Sequence, residues 1–347
     1  MNWKHLFLAL GILLTGLVQA EELGQEGWSA YRKRFITAEG RVIDTANGNV
    51  SHSEGQGYGL LLAEGYGDRE TFQRLAVWTI QNLQIRNDAL LAWRWNPSVG
   101  RGQVDDTNNA TDGDILVAWA LARAAKTWKV AAYREEARRI ATNIRALLVR
   151  PSPFGPLLLP GAVGFEKEGV IVINPSYWVF PAFRELNEID PSPVWEELER
   201  SGHRICNYGR YGGWHLPPEW IWVRDAELEL PTDVAPVFGY NAIRVPFYLY
   251  WAGYTTHPCV LAAKRYSQYA SRTGKLSATI DLSTGIAGAD PMPQGMQNAL
   301  RFPIVANPLP NEAEAYYPAS ISLLVNLVAK NSSQSITTTQ EKTFINP

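Results

Sequence analysis

Cysteine is nearly absent from this chain of 347 residues, which has only Cys206 and Cys259. With five histidines beside them, there is little material for a zinc or iron–sulphur site. Neither cysteine directly adjoins a histidine or sits in a recognisable low-pKa setting, so thiol catalysis has no support. Charge is also thin. Lys, Arg, Asp and Glu make up 19% of the residues, below the roughly 25% usual in soluble domains. A formal net charge of −2 gives no electrostatic argument for nucleic acid or an anionic membrane surface. No glycine-rich phosphate loop or dinucleotide fingerprint follows a strand. Beyond the N-terminus, no apolar run approaches the roughly 18 residues of a membrane span.

Aromatic residues, by contrast, are plentiful. Hydrophobic residues reach 46%, which excludes disorder of the whole chain, and there are 13 Trp and 15 Tyr, more than core packing needs. The N-terminus has the form of an export signal. A short basic start (Lys4, His5) leads into an apolar run from Leu6 to Val18. Val18-Gln19-Ala20 then offers a cleavage site, and Glu21 and Glu22 follow. Such a segment is too short and wrongly flanked for a permanent span, although a retained anchor is the competing reading. The expected organisation is a signal peptide over 1–20, a single domain over 21–330 and a flexible tail over 331–347. An exported chain would be periplasmic or secreted, with no stable membrane insertion. There Cys206 and Cys259 form either one disulfide or two buried thiols, and spacing alone does not decide between them.

Ten to twelve helices fit the apolar periodicity. Ile115, Trp119, Ala122 and Ala125 sit on one face of a helix over 112–128, with Asp112 as its expected N-cap. Ala137, Ile140 and Ile144 do the same over 133–148. Further helical patterns cover 55–84, in two segments, and 177–186, 194–208, 241–251, 260–269 and 317–328. Strand signals are short, at 157–159, 169–173 and 219–223, and suit small hairpins set into loops. The expected class is all-α.

Three clusters place acids among glycines and aromatics, unlike a solvated charge run. The first, Ser51-His52-Ser53-Glu54-Gly55-Gln56-Gly57-Tyr58-Gly59, starts a helix, and its small residues would let a ligand approach the backbone. A surface helix cap is the bland alternative for Glu54. The second is Asn108-Asn109-Ala110-Thr111-Asp112-Gly113-Asp114. Acids two apart do not share a helical face, so Asp112 and Asp114 should have separate jobs. A calcium loop would need further oxygen ligands and a closing Glu that this stretch lacks. The third is Phe238-Gly239-Tyr240-Asn241-Ala242-Ile243-Arg244-Val245-Pro246, which could equally be a helix capped by Asn241 beside a surface Arg244. Between the second and third, Tyr208 to Trp222 interleaves Trp214, Trp220 and Trp222 with prolines. That density suits stacking on sugar rings, against core packing for any single Trp.

In this order, and with Pro160-Gly161-Ala162-Val163-Gly164-Phe165 and Leu216-Pro217-Pro218 between them, the clusters resemble family 8 glycoside hydrolases. Within that family they are most similar to the endo-β-1,4-glucanases that accompany bacterial cellulose synthases. The resemblance spans about 25–330. It implies an (α/α)6 barrel with small hairpin insertions, an open cleft, hydrolysis of internal β-1,4-glucosidic bonds with inversion, and no metal or other cofactor. It implies a β-1,4-glucan (cellulose) chain as partner and an association with a cellulose synthase complex. Carried over by position, Glu54 is the general acid, and Asp114 is the acid of the central subsite, positioning the water. Asp112 supports it and Arg244 orients the groups around the water. Trp93, Trp95, Tyr208, Trp214, Trp220 and Tyr240 are the implied substrate-binding aromatics.

At one position the chain departs from the family pattern. The usual base is an Asp where this chain has Asn241, and a neutral amide does not take up a proton at ordinary pH. Another carboxylate could serve, with Asp112, Asp114 and Asp233 as the sequence candidates. Alternatively, the chain is a weakened or inactive hydrolase that keeps glucan binding as an accessory to the synthase, or the asparagine replaces an aspartate by design.

Overall fold

The computed structural model describes residues 24–274, 276–306 and 313–344; the expected export signal lies outside them. Eleven α-helices run through the described residues. They are α1 (24–35), α2 (Ser53–Gly65), α3 (Arg69–Leu83), α4 (Thr111–Trp128), α5 (Ala131–Leu147), α6 (Phe180–Ile189), α7 (Pro193–Tyr208), α8 (Arg244–Trp251), α9 (Pro258–Thr273), α10 (Gln294–Ala299) and α11 (Tyr316–Phe344). The last, α11, is also the longest of them, at 29 residues.

Composition decides which helices are central. In α4 every residue from Thr111 to Ala122 is buried, and α2 buries nearly all of its length. A helix apolar all round must be enclosed by others. In α5 the only buried residues are Ala137, Ile140, Ala141 and Ile144, a single stripe at helical spacing. Packing follows this division. α2 lies against α4, α4 against α6 and α6 against α8, and α11 returns to α2. Outside them α3 packs on α2, α5 on α4, α7 on α6 and α9 on α8, while α10 packs on α11. This is the (α/α) barrel arrangement. α1 joins its outside, with Tyr31 Oη 2.8 Å from Ser320 Oγ of α11 and Trp28 stacked on Tyr66.

Bare glycine faces allow the tightest crossing. A Cβ on Gly57 of α2 would lie 2.5 Å from the Leu116 Cβ of α4, and one on Gly113 of α4 would lie 2.8 Å from the Glu54 amide nitrogen. The small residues around Glu54 therefore admit neighbouring elements.

The strands sit in the loops. β1 (Ser51–His52), β2 (Ala92–Asn96) and β3 (Gln103–Asn109) make a three-stranded antiparallel sheet. β4 (Val149–Arg150) pairs with β5 (Leu157–Leu158). β6 (Glu166–Lys167), β7 (Val170–Ile173), β8 (Ile221–Arg224) and β9 (Glu227–Glu229) form a four-stranded sheet, and β10 (Val237–Phe238) pairs with β11 (Ile280–Asp281). Cys206 and Cys259 are buried free thiols, with the Cys259 Sγ–H donating to the Cys206 carbonyl at 2.8 Å. Among the described residues no helix is long and apolar enough to cross a membrane.

Candidate active site

Three inner helices begin at one end of the barrel, and each contributes a charged side chain from its first turn. Glu54 is the second residue of α2, Asp112 the second of α4, and Arg244 the first of α8. Carboxylates suit helix N-termini, where the peptide dipoles present positive charge. A buried arginine at such a position is unfavourable alone and must be held by acceptors. Arg244 is fully buried and has them. Its Nη1 donates to Glu54 Oε1, to Asp112 Oδ2 at 2.9 Å and to Tyr58 Oη at 3.1 Å. Its Nη2 donates to Asn241 Oδ1 at 2.7 Å and to Ser176 Oγ at 2.8 Å. Glu54 and Asn241 thus sit on the two terminal nitrogens of one guanidinium. The Tyr177 ring lies against the same group, 5.7 Å from its carbon.

One cation faces two carboxylates here. Burial pushes the Asp112 carboxyl up to about 7, with Arg244 opposing the rise and the charge of Glu54 adding to it. Near neutral pH the cluster therefore tends to keep a proton. Asp112, the expected N-cap of α4, is instead its second residue. The N-cap is Ala110, without a side-chain bond, because Asp112 is committed to Arg244. Asn241 likewise does not cap α8, whose N-cap is Ile243.

Asp114 sits apart from the Arg244 cluster. It is wholly buried, accepting from the Leu91 amide at 2.8 Å and from Asn109 Nδ2 at 2.7 Å. Burial raises its carboxyl to about 8, against those two hydrogen bonds. It ties the open end of the β2–β3 hairpin to α4. Asp112, expected in support, is the one of the two on Arg244.

Above Glu54 opens a cavity of about 650 Å³, lined among others by Asp44, His52, Tyr240, Asn241 and Tyr317. Tyr240 is 42% exposed, and its ring lies 6.3 Å from that of Tyr317. Trp220 stacks on Phe165 and meets Tyr177 at 6.4 Å, which brings it toward Arg244. Trp93 stacks on His52 at 5.7 Å with the rings nearly parallel, at the cavity edge. The other aromatics are placed elsewhere. Trp95 is wedged between Trp78 and the Arg41 guanidinium, and a Cβ on Gly102 would meet its ring. Trp214 packs on Tyr266 and Tyr269 of the outer helix α9. Tyr208 is 66% exposed at the end of α7. Trp95 and Trp214 thus lie against other side chains, Tyr208 is a surface residue, and none of the three lines this cavity. Asp233 is also outside the cluster, exposed and 3.9 Å from Lys167.

Several residues of the cluster were not singled out in the sequence. Tyr58 lies within the first motif, one turn after Glu54, with its hydroxyl 3.3 Å from Glu54 Oε1. Ser176 and Tyr177 follow Asn174-Pro175, and Tyr317 is the second residue of α11. Glu219 stands between Pro218 and Trp220 and accepts from Asn241. Among the described residues no three His, Cys, Asp or Glu side chains gather as metal ligands.

Comparison with known proteins finds one pattern throughout. The sequence profile of "Glycosyl hydrolases family 8" matches residues 6–331. A probable endoglucanase from Novacetimonas hansenii is 38% identical over 311 residues, 86% of this chain and 88% of the relative. Among solved structures, endo-beta-1,4-glucanase CMCax from Acetobacter xylinum superposes with a TM-score of 0.83 at 34% identity, covering 91% of this chain and 99% of that one. Endoglucanase Cel10 from Klebsiella pneumoniae gives the same TM-score at 35% identity over 89% of this chain and 99% of that one.

Proposed function

The chain belongs to family 8 of the glycosyl hydrolases, and we propose that it is an endo-β-1,4-glucanase acting with inversion. The relatives that resemble it over most of both chains are endoglucanases. One observation carries the assignment of roles. Glu54 and Asn241 lie on opposite terminal nitrogens of a single buried arginine at the floor of an open, aromatic-lined cavity. Inversion needs an acid on one side of the sugar ring and a water on the other, with the two carboxyl groups roughly 6.5–9.5 Å apart.

In this reading Glu54 protonates the glycosidic oxygen of the departing chain. Asp112 keeps the proton balance of the cluster and holds Arg244. Arg244 fixes the carboxyl of Glu54 and the amide of Asn241 relative to each other, and Asn241 marks the side from which water attacks. Tyr240, Trp220 and Trp93 offer stacking faces to the glucan, and a neutral polymer needs no ionic partner in the cleft. The basic-then-apolar stretch over residues 4–18 supports export, and the resemblance supports a task beside cellulose synthesis.

Reducing-sugar release from carboxymethylcellulose tests the assignment. The wild-type protein should release sugar steadily, and Glu54→Gln should lower the rate by roughly 10²–10⁴-fold, the usual worth of a positioned acid, while still binding the polymer. The amide at Asn241 favours one other reading, a glucan-binding protein that hydrolyses weakly or not at all. Equal trace rates from both proteins, with binding intact, would establish that reading instead.

A further inference from the structure

Beyond Asn241, on the Nη2 side of Arg244, stands a further carboxylate, that of Glu219. The Asn241 amide nitrogen donates to Glu219 Oε1 at 3.0 Å, and its side-chain Nδ2 donates to Glu219 Oε2 at 3.3 Å. Its Oδ1 accepts from Arg244 at 2.7 Å. With an acceptor on one face and a donor on the other, the amide has one orientation and cannot flip without losing both bonds. Glu219 is brought this close because residue 239 has no side chain, for a Cβ on Gly239 would lie 2.8 Å from Glu219 Oε1. The glutamate is only partly buried, and among the described residues no lysine or arginine forms an ion pair with it. Two hydrogen bonds leave lone pairs free on a carboxylate.

The other acids are disposed of by their partners. Asp112 is enclosed on Arg244, and Asp114 is enclosed on Leu91 and Asn109. Asp233 is outside the cluster. Asp44 lines the cavity but faces His52, 3.9 Å away. Along the guanidinium the order is Glu54 and Asp112 at Nη1, then Asn241 at Nη2, then Glu219.

We propose that Glu219 is the general base of this chain, taking over the task of the aspartate that Asn241 replaces, with Asn241 positioning both Glu219 and the attacking water. A water oxygen forms the bond to the anomeric carbon as one of its protons passes to the Glu219 carboxylate. The bond from that carbon to the glycosidic oxygen breaks with its electron pair going to the oxygen, which takes the proton of Glu54. Solvent then removes the proton from Glu219 and returns one to Glu54. The inference rests on the endoglucanase reading, so Glu54→Gln is assayed alongside.

The test uses hydrolysis of cellopentaose by the wild-type protein and by Glu219→Gln, Glu219→Ala, Asn241→Asp and the double variant Asn241→Asp with Glu219→Gln. The proposal expects Glu219→Gln to lose roughly 10²–10⁴-fold in kcat, with cellopentaose binding kept. Asn241→Asp alone should bring no large gain, because the site already has its carboxylate. In the double variant the new aspartate should recover at least tenfold over Glu219→Gln. Azide, a small anion that needs no deprotonation, should revive Glu219→Ala and give the α-glycosyl azide, the inverted product. Asp233→Asn should leave the rate unchanged. A wild-type protein with no activity would overturn the endoglucanase reading. An active wild type with a dead Glu54→Gln and an undiminished Glu219→Gln would overturn the base assignment alone. A Glu219→Gln protein that loses binding, and that neither Asn241→Asp nor azide in the Ala variant restores, would reduce Glu219 to a structural clamp and also overturn it.

Discussion

At the scale of single residues, Asp112 and Asp114 set the terms. Both carboxyls are raised by burial, to about 7 and about 8, far above the usual value near 3.9. The folded protein therefore holds protons that the unfolded chain releases, and folding stability falls as pH rises through those values. Burial lowers His203, and it lowers His257 to about 4, which has the opposite sign. The folded state resists protonating them, so they favour stability as pH rises to about 6.5, the ordinary histidine value. Above pH 6.5 the histidine share, to which partly buried His52 also belongs, fades, and the aspartates, joined by the raised Cys206 thiol, carry the trend. Thermal unfolding should accordingly show a lower Tm at pH 8.5 than at pH 6.5. A Tm that rose over that interval would show that these carboxyls are ionised at little cost.

Gly113 decides geometry at the scale of helices. Its bare α-carbon lets the first turn of α4 rest against the first turn of α2, with Ser53 and the Glu54 amide in the space a side chain would fill. Gly113→Ala should push the two helix starts apart and carry Glu54 away from Arg244. The expected result is a loss of more than tenfold in kcat with the far-ultraviolet circular dichroism unchanged, and full activity in that variant would refute it. The aromatic residues divide the same way. Trp220 belongs to the Tyr177 side of the site, so Trp220→Ala should raise KM for cellopentaose about tenfold, equivalent to about 1.4 kcal/mol. Tyr208 ends an outer helix, and Tyr208→Ala should stay within about twofold. Reversed effects would place the glucan on the other side of the barrel.

For the whole molecule, much of the helix inventory could be read from spacing, because the outer helices carry a clean apolar stripe and the inner ones a continuous apolar run. The β2–β3 hairpin was not legible, since its residues Trp93, Arg94, Asp105 and Asp106 lack the alternation of a half-buried strand. Glu54, Asp112 and Arg244 stood out as charges among small and aromatic residues. Their meeting on one guanidinium, 190 residues apart for Glu54 and Arg244, is a property of the closed barrel and has no local signal. For the same reason nothing local shows that Asp112 reaches Arg244 while Asp114 does not, although two residues along a helix turn the side chain to the opposite face. Glu219 was hidden among prolines and tryptophans that drew attention to stacking.

The whole account depends on Glu54 delivering a proton to the leaving oxygen, and the dependence of the Glu54→Gln rate on the leaving group measures that directly. Dinitrophenolate departs without protonation, whereas a glucose hydroxyl does not. With cellopentaose the variant should fall roughly 10²–10⁴-fold below wild type, and with a dinitrophenyl β-cellobioside it should fall no more than about tenfold. The same large loss on both substrates, or no loss on either, would contradict the role assigned to Glu54.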